Sequence, residues 1–292
     1  MSQTSKEGLI IKNYAGFYYI QDEDKVIHAC RVRGKLKARL LTGDRVIFTP
    51  LDGHTGILED LLPRLNHLQR PRVANVTRVL IVMAYEQPKP DLMLLDRLLF
   101  LALYNGIVPC IIMNKCDLKA DTVTSQILDY YPRICRIFTT SAQHQLGIEE
   151  LSQAITGQIA VFAGPSGAGK SSLLQQLTGN SQVRTQPVSD RIGRGKHTTR
   201  HVELFPLPGG GWVADTPGFS VLDMPALRRE RLRDYFPDFN LYEEHCQFGD
   251  CLHYRELQCG VKNALQEGML LPSRYQNYVK MLEEIMEKER CY

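Results

Sequence analysis

The chain has 292 residues, of which 43% are hydrophobic and 23% charged, a globular make-up that excludes a disordered or fibrous protein. That length gives room for two or three folding units. The net charge of +3 is too small to announce an anionic partner, so where the charge lies matters more than its sum. No apolar run approaches the ~18 residues a membrane helix needs. The polar start Met1–Lys6 lacks a signal peptide's apolar core. Of the eight cysteines, three fall inside Cys246–Cys259, which favours a reducing compartment and a local metal site over a disulfide framework. A cytoplasmic, monomeric protein without a membrane partner is the expectation.

Residues 1–66 read as short strands. Gly16–Ile20, Val26–Val32 and Asp44–Phe48 are β-prone, with turn signals at Thr42-Gly43 and Asp52-Gly53. So many strands in so few residues predict a small β-barrel. Pattern alone leaves an oligonucleotide-binding barrel and an SH3-like one both open. Arg31, Arg33, Lys35, Lys37 and Arg39 occupy every second position, so in one extended strand all five would share a face, unless Gly34 bends it. A solvated charged face is the usual meaning of that pattern. Contact with an RNA backbone is the functional one.

Residues 67–223 change character. Val79–Met83 and Val108–Met113 are continuous apolar strands of the kind buried on both faces. Between them Asp91 is placed to cap a helix over Leu92–Tyr104, with Gly106 past its end. A strand at Arg136–Phe138, a helix at Gly147–Ile155 and a strand at Ile159–Phe162 continue the alternation. The expected architecture is a doubly wound α/β sheet. In residues 224–292 the expectation is a mostly helical unit. Pro225–Tyr235 reads as a charged helical segment. A last helix begins near Ser273, with Tyr275, Val279, Leu282 and Met286 as its packing stripe.

Gly164, Pro165, Ser166, Gly167, Ala168, Gly169, Lys170 and Ser171 fit G-x-x-x-x-G-K-[ST] at every fixed position. The loop follows a strand and precedes a helical run at Ser172–Leu177, as a phosphate cradle requires. Lys170 should reach the β- and γ-phosphates, and the Ser171 hydroxyl should bind Mg²⁺. Asn114-Lys115-Cys116-Asp117, directly after a buried strand, matches the Asn-Lys-x-Asp base-recognition element of GTPases. The Asp117 carboxylate can accept from guanine N1–H and the 2-amino group, whereas adenine would leave it unpaired. Asn114 and Lys115 would brace the loop and cover the base, and Cys116 is the motif's free position. Thr140-Ser141-Ala142 resembles the second base-contacting loop, where a backbone N–H of Ser141 or Ala142 would meet guanine O6.

Asp215-Thr-Pro-Gly218 completes the set: Asp215 would hold Mg²⁺ through water and the Gly218 N–H would sense the γ-phosphate. Gly193–Arg200 is a basic stretch suited to a switch, and Arg184–Arg200 holds five basic residues against one acidic. One of Thr198 and Thr199 should contact Mg²⁺, and resemblance to other Thr-Thr-Arg switches selects Thr199. Phe219 stands where Ras-like enzymes carry a water-orienting glutamine, so another group is needed for catalysis beside Lys170 and Thr199. His197 is the nearest candidate. The order of motifs is unusual, because Asn114–Asp117 and Ser141-Ala142 precede Gly164–Ser171. A circular permutation explains it.

Cys246, Cys251, His253 and Cys259 supply three thiolates and an imidazole, a sufficient set for a closed structural zinc site, with His245 the competing imidazole. The motif order together with these four residues resembles the circularly permuted, ribosome-small-subunit-dependent GTPase family of bacteria, over almost the whole chain. The resemblance implies an oligonucleotide-binding barrel over 1–66, a permuted GTPase domain over 67–223 and a zinc-binding domain over 224–292. It also implies Mg²⁺-dependent hydrolysis of GTP to GDP, stimulated by the 30S subunit, and a part in late 30S maturation with contact to 16S rRNA. A GTP-responsive RNA-binding module that barely turns over is the alternative from another class. A P-loop ATPase or kinase is disfavoured by Asp117.

Overall fold

The computed structural model describes residues 4–34, 36, 39–69, 71–179, 202–215 and 223–290. Lys35, Lys37, His197, Thr198, Thr199, Gly218 and Phe219 lie outside these residues, as does the side chain of Asp215.

Five strands make the first unit: β1 (Lys6–Tyr14), β2 (Phe17–Asp22), β3 (Ile27–Val32), β4 (Arg45–Leu51) and β5 (Thr55–Leu61). They run in the order β1-β2-β3-β5-β4, and β4 returns to pair with β1, closing a barrel of the oligonucleotide-binding type. Ile10, Ile20, Cys30, Val46, Phe48 and Leu58 fill it. Strand β3 stops at Val32. The Leu36 N–H then donates to the Arg33 carbonyl at 3.1 Å, so the chain turns at Arg33 and the expected single extended strand does not continue past Val32.

A short hairpin, β6 (His67–Gln69) and β7 (Arg72–Ala74), leads into the α/β region. Its strands are β8 (Arg78–Ala84), β9 (Val108–Asn114), β10 (Arg136–Thr140), β11 (Ile159–Ala163), β12 (Glu203–Pro206) and β13 (Trp212–Asp215). Its helices are α1 (Leu92–Tyr104), α2 (Thr122–Tyr130), α3 (Ile148–Ala154) and α4 (Lys170–Thr178). Strands β10-β9-β8-β11-β13 are parallel and β12 is antiparallel to β13. Along β8 the residues alternate strictly between two cores. Val79, Ile81 and Met83 join α1 on one face, and Leu80 and Val82 face α3 and α4 on the other. That double burial is why the strand reads as an unbroken apolar run. Helix α1 has the predicted bounds because Asp91 Oδ1 accepts from the Met93 and Leu94 N–H groups at 2.9 and 3.1 Å.

Barrel and α/β region share one eleven-stranded sheet, because β1 also pairs with β12. A bulge between Ile10 and Lys12 makes this possible. Ile10 packs in the barrel core and its neighbour Ile11 in the α/β core, so β1 belongs to both.

The C-terminal part contains α5 (Asn240–Glu243), α6 (Gly260–Gln266) and α7 (Pro272–Arg290). Pro225–Tyr235 is not the expected helix. It forms two separate 3-10 turns, Arg229–Arg231 and Arg233–Tyr235, whose function is to seat Leu232 and Phe236 in the core. The buried face of α7 is also rotated from the expected stripe. Arg274, Asn277, Tyr278, Met281, Leu282 and Ile285 lie inward, and Tyr275, Val279 and Met286 flank them.

The rotation is set by a polar anchor. Arg274, wholly buried, donates to Asp96 of α1 at 2.7 Å and bidentately to Asp238 at 3.1 and 2.9 Å. Asn277 donates to the remaining oxygen, Asp96 Oδ2, while Tyr131 and Tyr130 donate to Asp96 Oδ1 and Asp238 Oδ2 alongside Arg274. Burial disfavours the Arg274 charge, but Asp96 and Asp238 outweigh it and hold the guanidinium protonated. Replacing Arg274 with Met would leave two buried carboxylates without a cation. We expect a loss of about 3–5 kcal/mol in urea unfolding. A loss below about 1 kcal/mol would mean that packing, not the ion network, seats α7.

Candidate functional site

The sheet changes direction between β8 and β11, and ligands of open α/β sheets bind at the carboxyl ends of strands flanking such a reversal. The Gly164–Ser171 loop emerges there from β11. Gly164 has φ +118°, and a Cβ on it would lie 2.1 Å from the Val82 carbonyl oxygen of β8, so only glycine lets the loop start this close to the sheet. Ala168 is buried, and Lys170 opens α4. Its ammonium spans the loop, donating to the carbonyls of Gly164 at 2.8 Å and Pro165 at 2.6 Å, and burial lowers its pKa. Ser166 and Gly167 are exposed at the loop's crest, Ser171 is exposed in the first turn of α4, and Ser172 beside it is half-buried. Free N–H groups of a helix start, a cation and a hydroxyl together suit a polyphosphate with its metal.

Asn114 ends β9 and joins three loops. Its Nδ2 donates to the Ala168 carbonyl of the phosphate loop at 2.9 Å. Its Oδ1 accepts from the Thr140 hydroxyl at 3.1 Å and from the Ala142 N–H at 3.2 Å. A Cβ on Gly169 would sit 2.1 Å from that same Nδ2, which fixes glycine there. Lys115 takes a left-handed backbone, φ +61°, and its ammonium donates to the Gln87 carbonyl in the loop after β8. The Cys116 N–H donates to Thr140 O at 3.0 Å. Asp117 is held below the ordinary carboxylate range, first by a hydrogen bond from Ser141. His144 Nε2 lies 3.8 Å from its Oδ2.

The sequence therefore picks out Asn114, Lys115, Cys116, Asp117, Ser141 and Ala142, and the structure brings all six together at one end of the sheet. It misses Gln87 and His144, whose only signal is nearness to β8's end and to Ser141. Of the loop expected to turn a backbone N–H to the base, the Ala142 N–H donates to Asn114 Oδ1. Asp215 ends β13, next to β11, and its cross-strand neighbour is Glu203 of β12. The remaining switch residues lie outside the described ones.

A second site lies in the C-terminal part. The ligand atoms of Cys246, Cys251, His253 and Cys259 all fall within 4.8 Å of one another. Tetrahedral zinc, with Zn–S bonds of ~2.3 Å, sets its sulfurs about 3.8 Å apart. Here Cys246 and Cys259 Sγ are 3.9 Å apart, and His253 Nδ1 lies 3.6 and 3.4 Å from them. Glu243 Oε1 lies 3.3 Å from His253 Nε2, which fixes the ring so that Nδ1 faces the sulfurs. The Gly260 N–H points at Cys246 Sγ at 3.3 Å. Burial pushes the Cys251 thiol up to about 12, so a cation is what would favour its thiolate. The residues fit zinc. His245 is largely exposed beside Glu244 and is outside the cluster.

On the barrel, Arg31 stacks 4.6 Å from the Phe17 ring centroid and Arg33 lies 3.5 Å from Glu59; both are exposed, as is Arg39. Arginine over an aromatic ring is a surface that both phosphates and bases can use.

Two family models cover most of the chain: the RsgA N-terminal domain matches residues 7–58 and the RsgA GTPase matches residues 61–225. The small ribosomal subunit biogenesis GTPase RsgA of Carboxydothermus hydrogenoformans is 45% identical over 289 residues, covering 97% of this chain and 99% of that protein. That of Moorella thermoacetica is 44% identical over 290 residues, covering 98% and 99%. Among solved structures, YjeQ from Thermotoga maritima superposes with a TM-score of 0.83 at 33% identity, covering 97% of this chain and 99% of that one. YloQ, described as a circularly permuted GTPase, gives 0.82 at 35% identity, covering 98% and 96%. With the phosphate loop and the Asn114 loop meeting at the sheet's reversal in permuted order, this chain belongs to the RsgA GTPase family and is a GTP-hydrolysing P-loop enzyme with an N-terminal barrel.

Proposed function

We propose that the chain hydrolyses GTP during biogenesis of the small ribosomal subunit, that the 30S subunit stimulates it, and that it contacts 16S rRNA. The observation that carries the nucleotide part is the Asn114 side chain, which ties the base loop to the phosphate loop. The near full-length likeness to biogenesis GTPases supports the ribosomal part. In this reading residues 1–66 bind RNA through Arg31, Arg33, Lys35, Lys37 and Arg39, residues 67–223 form the GTPase, and residues 224–292 form a zinc-held unit. A cytoplasmic, monomeric protein fits it.

Guanine would be read by Asp117, with Lys115 along the base plane and Ser141 and Ala142 closing the loop from the other side. Gly164 to Ser172 would enclose the phosphates, Lys170 releasing its carbonyls to reach the β- and γ-oxygens. Ser171 and Thr199 would hold Mg²⁺, with Asp215 acting through water, and the ion would supply neutralisation of phosphate charge. Gly218 would report the γ-phosphate. His197 would accept a hydrogen bond from the attacking water, a task that Phe219 cannot perform.

Turnover with and without 30S subunits tests the whole: a marked rise on addition is expected, and an unchanged rate refutes the stimulation. Asp117→Asn should weaken GTP binding roughly a hundredfold, since two charge-assisted hydrogen bonds are lost, and should favour xanthosine nucleotides. Equal affinity of the unmodified protein for ATP and GTP would sink the base assignment. Metal analysis of chelator-free protein should find about one zinc per chain, as a closed four-ligand site requires. Cys251→Ser should loosen residues 224–292 to proteolysis while sparing GTP affinity; chelation with no structural effect argues against zinc. His197→Ala should bind GTP and 30S subunits but lose about 100-fold in stimulated turnover. Lys170→Ala should fail at nucleotide binding itself. Full stimulated turnover by His197→Ala moves the water-positioning group to the ribosome.

A further inference from the structure

Strand β12 is four residues long and lies between two different units. On one side it pairs with β13, where Glu203 stands opposite Asp215; on the other it meets the barrel, where Glu203 stands opposite Lys12. Lys12, Glu203 and Asp215 thus form one row across three neighbouring strands. Two polar bonds lock that row. Lys12 Nζ lies 3.1 Å from Glu203 Oε1, and the buried Thr42 hydroxyl donates to the Val202 carbonyl at 3.0 Å. Thr42 is itself held, because its carbonyl accepts from the Ala74 N–H at 2.9 Å and Gly43 N–H donates to Ile10 O at 2.7 Å. A Cβ on Gly43 would lie 2.2 Å from the Ala74 carbonyl, so this loop has little freedom to shift.

We propose that Lys12, Thr42 and Glu203 are positioning residues for GTP hydrolysis: the barrel, through them, sets where β13 delivers Asp215. This rests on reading Asp215 as part of the nucleotide site. The base loop and the P-loop are fixed by Asn114 and by buried parallel strands, whereas β12, paired with β13 at four positions, meets the barrel at a single register pair. An ion pair of which each side chain is 37% and 41% exposed is weak alone. Losing it should let β12 and β13 shift by fractions of an ångström without unfolding anything. A displacement of that order at a reacting centre is enough to cost about tenfold or more in rate. Binding of the base and of the α- and β-phosphates does not pass through this row. The signature is therefore a fall in kcat with nucleotide affinity kept.

The experiment uses the full chain, measuring GTP turnover and the affinity for a fluorescent GTP analogue. Lys12→Met and Thr42→Val should each lower kcat about tenfold while affinity stays within twofold and the far-UV circular dichroism is unchanged. The double exchange Lys12→Glu with Glu203→Lys should restore most of the rate, and Thr42→Ser, which keeps the hydroxyl, should retain it. Wild-type kcat in both Lys12→Met and Thr42→Val overturns the proposal. So does a loss of affinity equal to the loss of rate, or an exchange that rescues nothing. If the unmodified protein turns over GTP in the presence of 30S subunits and the variants match it there, only the positioning role falls; if it does not turn over even with them, the reading of Asp215 as part of a hydrolytic site falls with it.

Discussion

One buried amide holds the nucleotide end of this molecule together. Asn114 offers a donor to Ala168 and an acceptor to Thr140 and Ala142, so a single side chain fixes the relative height of three loops. Those residues are 54, 26 and 28 positions away in the chain. None of the three bonds depends on which loop comes first. A permutation that moves Asn114 ahead of the phosphate loop therefore leaves the site's geometry untouched, provided the strands keep their places in the sheet. Gly169 is the matching constraint, because any side chain there would occupy the position of the Asn114 amide. An unsatisfied buried amide costs about 1–3 kcal/mol, so the joint is costly to break and the loops stay together.

What the permutation does change is what lies next to the site. The strand that ends at Asp215 is the last of the α/β region before the C-terminal part, and the strand before it, β12, is edged by the barrel. The C-terminal part is not loosely appended. Tyr275 and Tyr278 of α7 donate to the carbonyls of His253 and Leu252, both at 2.8 Å, tying the metal cluster to the helix. Arg274, on the same helix, is buried against Asp96 of α1. Helix α1 is capped by Asp91, shortly after Gln87, whose carbonyl accepts from the Lys115 ammonium. Metal cluster, α7, α1 and base loop form one packed series, and packing of this kind transmits position faithfully because interiors are dense.

Where sequence and structure agree, the local signal and the tertiary demand coincide. Strands β8 and β9 are buried on both faces and α1 has a true capping aspartate, so both are legible from pattern alone. The phosphate loop is legible for a different reason: Gly164 and Gly169 answer to close approaches that no other residue tolerates. Strand β1 is hidden because Ile10 and Ile11 are both buried, in two different cores, which breaks the alternation that marks a strand. The packing face of α7 is misjudged because its largest fully buried member is an arginine. Hydropathy places Arg274 outside; only Asp96 and Asp238, 178 and 36 residues away, explain why it is inside. The extended basic face fails at Arg33, where a turn intervenes that Gly34 only hints at.

Rigidity is distributed unequally around the site, and the distribution follows function. The half that would recognise a guanine nucleotide is built from buried parallel strands and the Asn114 joint, which suits a task needing fixed donors and acceptors. The half that would answer to the γ-phosphate includes a four-residue strand at the seam between two units, paired with β13 along its length but tied to the barrel by only one register pair, one half-exposed ion pair and one hydroxyl. Low-stability elements are where conformational response is drawn from. A GTPase whose rate is to depend on a partner needs affinity insulated from that dependence, or it would lose its nucleotide whenever its partner left. Separating the two halves onto different supports supplies that insulation, and the bulge at Ile11 makes it possible: it lets β1 leave β4 and reach β12 within three residues, joining the seam to the barrel while the barrel keeps its own closed core.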